Sequence, residues 1–218
     1  MTNAWIDAAL AFLVLTNLAL LGSSRHTSCI RVVAVQGVVL GLFTLALHGE
    51  ELSIHPVALA CGSVLLKGMV FPWLLSRALR EANVRREVEP YVGYVGSTLI
   101  GILALILSLW LGARLPLPNP VISPLVVPVA LFTIIIGLFL IVSRKKALTQ
   151  VLGYLVLENG IYAFGVALVL EEPLLVELGV LLDVFVAVFV MGIAMFHIHR
   201  TFDHIDTDQL STLKDWAP

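Results

Sequence analysis

Leu148–Leu170, LTQVLGYLVLENGIYAFGVALVL, is an apolar run with a single acid, Glu158, near its middle. At a rise of about 1.5 Å per residue a helix of this length crosses the roughly 30 Å of hydrocarbon in a bilayer. A carboxyl at that depth costs roughly 2.5–3.5 kcal/mol on insertion scales, so selection for stability alone would remove it. Around this stretch the chain is of the same kind. Of its 218 residues 59% are hydrophobic and 13% charged, and the mean hydropathy is +1.00, whereas soluble domains are about a quarter charged. This excludes a water-soluble fold and leaves room for one helical bundle.

Further runs of spanning length occur at Trp5–Leu21, Ile30–Leu47, Val57–Leu75, Val92–Leu111, Leu125–Val142 and Leu174–Phe196. The fold class is therefore all-α, an integral membrane bundle of about seven transmembrane helices. Arg25 is the first basic residue, so the opening run lacks the positive start of a signal peptide and is read as a retained helix. The connections alternate in charge. Eleven basic residues, among them Arg25, Arg31, Arg77, Arg80, Arg144, Lys145 and Lys146, fall on one side, and Arg114 alone on the other. The positive-inside rule then places the N-terminus outside and the C-terminus in the cytoplasm. The expected organisation is a four-helix part over residues 1–115, a three-helix part over 116–199 and a cytoplasmic tail over 200–218. Proline marks helix entries or kinks at Pro56, Pro72, Pro90, Pro124 and Pro128.

Besides Glu158, two ionisable side chains lie far from any predicted helix end, Lys67 in the third helix and Asp183 in the seventh. Counting residues from the outer face puts Lys67, Asp183 and Glu158 at depths of roughly 15, 14 and 18 Å, one layer near the midplane. Tyr154, Glu158 and Tyr162 follow at i, i+4 and i+8, a stripe that can hold water and pass a proton. Intramembrane ionisable groups are functional candidates by default, which points to proton handling. The same residues also allow an ion pair that only pins the bundle. A carboxylate on the sixth or seventh helix, or on a neighbouring subunit, is the favoured partner of Lys67. Glu177, one turn inside the seventh helix, is a candidate for proton exit, and Asn159 is either a hydrogen-bond partner or a helix contact. Gly37 and Gly41 form a G-x-x-x-G packing signal in the second helix. Cys29 and Cys61 form no CxxC pair, and His48, His55, His197 and His199 fall at helix ends, so no metal, haem or other cofactor is expected in this chain. Nucleophile triads, phosphate loops and nucleic-acid patches are not expected either.

Arg144–Val169, RKKALTQVLGYLVLENGIYAFGVALV, with its G-Y-x-x-x-E-N-G core at Gly153–Gly160, and Val176–Lys214, with V-E-x-G-x-x-x-D at Val176–Asp183 and L-x-x-L-K at Leu210–Lys214, carry a resemblance. The chain resembles the component E membrane subunit of formate-hydrogenlyase-type hydrogenases, the fourth group of nickel–iron hydrogenases. Its last three helices also resemble the K subunit of respiratory complex I and the matching subunit of Mrp-type antiporters. In that family two buried glutamates lie on the proton path. The first maps onto Glu158, and the second onto Asp183, one methylene shorter.

The resemblance implies a non-catalytic, multi-pass subunit of an energy-converting hydrogenase complex in a prokaryotic cytoplasmic (inner) membrane. It implies antiporter-like and complex I H-subunit-like membrane partners, and soluble hydrogenase partners that hold the nickel–iron site and iron–sulfur clusters. The proton path would include Glu158, Asp183, Lys67, Tyr154, Tyr162 and Glu177. A complex I-like or Mrp-like assembly without hydrogenase activity, or a structural scaffold, remains as an alternative.

Overall fold

The computed structural model describes residues 4–47, 61–62, 64–81, 91–115 and 123–168. The described residues form helices and no β-strand: α1 Ala4–Gly22, α2 His26–Leu47, a π-helical segment Leu66–Val70 that runs into α3 Phe71–Glu81, α4 Tyr94–Gly112, α5 Val126–Ser143 and α6 Ala147–Leu168. Four of them, α1, α2, α4 and α5, are long and apolar enough to cross a membrane. α6 matches them at 22 residues but carries Gln150, Glu158 and Asn159. The seventh predicted helix, Leu174–Phe196, and the tail lie outside the described residues, and with them Asp183 and Glu177.

Helix bounds follow the apolar runs, with two informative differences. α2 begins at His26 rather than Ile30, because the backbone N–H groups of Ser28 and Cys29 already donate to the Arg25 carbonyl. Hydropathy misses this turn since its side chains are polar. α3 continues beyond Leu75 to Glu81 because burial follows the helical period, with Phe71, Leu75 and Leu79 inward and Arg77 and Arg80 outward.

Pro72, expected at a helix entry or kink, is the second residue of α3, directly after the π-helical segment. There the Phe71 N–H donates to the Leu66 carbonyl, five residues back. Proline has no N–H to continue the ladder, and the widened turn sits where the ladder would fail.

α5 and α6 form the closest pair. A Cβ added at Gly160 would lie 2.7 Å from Ile134 N, and one at Gly153 would lie 2.9 Å from Ile141 N. The two backbones therefore touch, and an added methyl at either glycine would force them apart. In lipid the gain from such contact is dispersion and backbone proximity rather than exclusion of water. Both glycines of the G-Y-x-x-x-E-N-G core are thus spent on helix contact, which leaves Glu158 and Asn159 between them to face elsewhere. α4 packs through a small-residue seam, Ser97, Gly101, Ala104, Ser108 and Gly112. Its opposite face leaves Leu99, Leu103, Ile106 and Trp110 exposed, as a lipid-facing surface does.

Helix ends coincide across the bundle. Arg144, after α5, donates from Nη2 to Leu21 O near the end of α1 at 3.0 Å, and Thr149, at the start of α6, meets His26 at the start of α2. At the other end Ser123, ahead of α5, donates to Asp7 Oδ1 in α1 at 2.9 Å. Two apolar clusters fill the interior. One lies around Leu21, Phe71, Ile136 and Leu152, the other around Leu13, Phe43, Val126 and Ala163.

Candidate functional site

Lys67 rises from the π-helical segment and buries its side chain to 5% exposure, while Glu158 on α6 is 2% exposed. Their charged ends meet, with Lys67 Nζ 2.5 Å from Glu158 Oε1. The ammonium also donates to Asn159 Oδ1 at 3.3 Å and lies 5.0 Å from the centre of the Tyr162 ring. Lys67, Glu158, Asn159 and Tyr162 therefore form one cluster. Tyr154, two turns of α6 away from Tyr162, packs half-buried against the larger apolar cluster.

Glycine makes the approach possible. A Cβ at Gly37 would stand 2.6 Å from Lys67 Cβ and 3.1 Å from its Cδ, so α2 leaves a groove in which the lysine stem lies. Gly68 does the same from the other side, where an added Cβ would meet Val38 at 2.7 Å. The G-x-x-x-G signal thus marks, at Gly37, clearance for a charged side chain.

Neither Glu158 oxygen accepts a hydrogen bond of good angle among the described residues. The pair is held by charge, and Oε2 is left without a donor. A small cavity lined by Lys67, Glu158, Asn159, Ala34, Pro72 and Leu155 has room for about one water molecule. Such a water would supply the missing donor. Besides Glu158 the lysine has a second acceptor in Asn159 and an aromatic face in Tyr162.

The sequence reading takes in Asn159, Tyr154 and Tyr162 beside the ionisable residues but passes over the amides Asn17 and Gln36. In the same interior Asn17 Nδ2 donates to Thr133 Oγ1 at 2.9 Å, and Gln36 Nε2 donates to Thr16 Oγ1 at 2.8 Å and to Asn17 Oδ1 at 2.9 Å. The Thr133 hydroxyl then donates back to Val129 O at 2.8 Å. This network ties α1, α2 and α5 together, and Asn17 and Gln36 are both fully buried. Asn17 and Gln36, amides in otherwise apolar runs, were the available signal. A third polar group at the basic end, His26, Arg144 and Thr149, is also buried. His26 was missed because it falls before the apolar run.

Among the described residues no three His, Cys, Asp or Glu side chains gather as a metal site would require. No solved structure matches the chain. Residues 125–215 match the family described as NADH-ubiquinone/plastoquinone oxidoreductase chain 4L. An uncharacterized protein of Mycobacterium tuberculosis is 32% identical over 96% of each chain. Hydrogenase-4 component E of Escherichia coli K12 is 30% identical over 71% of this chain and 72% of its own length, and the component E of Shigella flexneri matches equally. The chain belongs to the hydrogenase-4 component E family, membrane subunits of complex I-like oxidoreductase assemblies, and its C-terminal part is of the chain 4L kind.

Proposed function

We propose that this chain is the proton-pathway subunit of an energy-converting, membrane-bound hydrogenase complex of the formate hydrogenlyase kind. Partner chains hold the nickel–iron site and iron–sulfur clusters, and antiporter-like and complex I H-subunit-like subunits continue the path. The observation that carries this reading is the buried Lys67–Glu158 pair with an undonated carboxylate oxygen beside a water-sized cavity. Charge rearrangement driven by redox chemistry elsewhere shifts the balance of the pair. Glu158 then takes up a proton and later releases it, while Lys67 stays bound to Asn159. Asp183 is the second acid of the path, Tyr154 and Tyr162 flank Glu158, and Glu177 lies toward the exit. Moving one proton against 100 mV costs about 2.3 kcal/mol, which is the load the coupling must meet. The subunit sits in a prokaryotic cytoplasmic membrane as seven helices, with its N-terminus outside and its tail over the cytoplasmic face.

The test uses vesicles holding the purified complex. Glu158→Gln keeps shape and hydrogen-bonding capacity but removes the titrating group. Proton uptake coupled to the redox reaction is expected to fall sharply, with a smaller fall for Asp183→Asn, while activity assayed with artificial electron carriers persists. Full pumping in the Glu158→Gln/Asp183→Asn double variant overturns the reading and leaves a scaffold.

A further inference from the structure

Two small cavities are each walled in part by α2 and α6. The first holds the Lys67–Glu158 pair and is bounded by Ile30 and Leu155. The second, nearer the basic end, is bounded by Cys29 and Leu152 and lined by the polar groups of Ser23, His26, Arg144 and Thr149. Each has room for about one water molecule. On α6, Thr149 and Leu152 line the second cavity and Leu155 and Glu158 the first; each step of three residues turns by about 60° around the helix, so a route from Thr149 to Glu158 winds around α6 while rising about 13 Å. His26, at the start of α2, is 2% exposed, and its Nδ1 lies 3.4 Å from Thr149 Oγ1.

We propose that the α2/α6 seam is a proton half-channel in which His26 is the entry station and the Lys67–Glu158 pair the destination. The inference rests on the proton role given to Glu158 above and adds to it a route and a residue. Imidazole suits the entry because it takes a proton on one ring nitrogen and gives one up from the other, returning to its starting charge. Water in the second cavity delivers the proton to His26, and water in the first carries it on to Glu158. Transient water between Leu152 and Leu155 joins the two. The Arg144 guanidinium, 4.9 Å over the Tyr94 ring and bonded to Leu21 O, keeps a fixed positive charge beside the second cavity. That charge favours prompt onward transfer of a proton from His26 over its retention there.

The experiment measures initial proton movement into vesicles that hold the complete complex, beside carrier-assayed activity. His26→Ala is expected to slow proton movement by about tenfold or more, and millimolar imidazole in the medium is expected to restore part of the rate. Ala34→Phe fills the first cavity, beside the Lys67–Glu158 pair, without removing a titrating group. It is expected to slow proton movement with no rescue, because the block lies beyond the point that imidazole replaces. Parental rates in an assembled His26→Ala complex, or a loss that imidazole leaves unchanged, overturn the proposal. If His26→Ala does not assemble, His26→Gln takes its place: a parental rate in the assembled variant overturns the half-channel and a slowed one that imidazole restores supports it. Glu158→Gln separates the two readings. If it pumps fully, the proton role of Glu158 falls; if it stops pumping while His26→Ala and Ala34→Phe do not slow it, only the half-channel falls.

Discussion

Two buried polar regions lie inside this bundle and differ in kind. The Asn17–Gln36–Thr133 network joins three helices through neutral groups whose N–H and O–H donors all have acceptors, with Gln36 Oε1 left over. The Lys67–Glu158 pair is charged, joins the π-helical segment to α6, and among the described residues leaves a carboxylate oxygen without a donor next to a cavity. A neutral network, even with one amide oxygen unpaired, carries no group that changes charge near neutral pH, and it ties three helices together. An undersatisfied charged pair costs stability and has room for a proton and a water. Under the proposed function the contrast separates scaffold from site.

The sharpest way to break the contrast is Glu158→Leu. It strands the Lys67 ammonium in the interior, and removing one partner of a buried pair costs about 3–5 kcal/mol. The expected outcome is loss of the subunit from the complex, read by subunit content after purification. Lys67→Met/Glu158→Met removes both charges and is expected to recover assembly without pumping, since a buried pair replaced by apolar groups is often neutral. A Glu158→Leu complex that assembles normally would show that the pair carries no structural weight.

Next in size is Gly37→Leu, whose side chain enters the groove that the Lys67 stem occupies. Overpacking costs roughly 1–3 kcal/mol, and displacement of the lysine is expected to impair pumping as well. A lowered melting temperature together with reduced proton uptake is the expected pair of readouts. Normal uptake would show that Lys67 does not need this position.

Asn17→Leu is expected to be milder and different in kind. It removes a donor and an acceptor from the neutral network, at about 1–3 kcal/mol for the unsatisfied partners, and should lower the melting temperature while leaving proton movement per assembled complex unchanged. Loss of pumping at full assembly would place the network in the path and erase the distinction. Smallest is the coupling between Asn17 and Thr133. A double-mutant cycle with Asn17→Leu and Thr133→Val is expected to give about 0.6 kcal/mol, the average for hydrogen bonds between transmembrane helices.

Much of this was legible along the chain. Glu158 and Lys67 stood out because charge in an apolar run is expensive, and a carboxylate was favoured as the lysine's partner. The sequence allows Asn159 either a hydrogen bond or a helix contact, and the structure places its Oδ1 on Lys67. The Gly153 and Gly160 positions were read as part of a motif, and only their packing against α5 shows them to be contact points. Topology has its own check: a reporter at Asn119 is expected outside, and a cytoplasmic signal there would reverse the assignment.

By itself the sequence determined the membrane-spanning, all-helical class and the costly charged positions, because hydropathy and helical rise are local quantities that add along a chain. Only the tertiary structure decided that Lys67 reaches Glu158 through the groove at Gly37, that the widened turn before Pro72 carries it there, and that Thr149 meets His26. Those relations join residues up to 123 positions apart. They follow from which helix faces pack together, and no local periodicity records that choice.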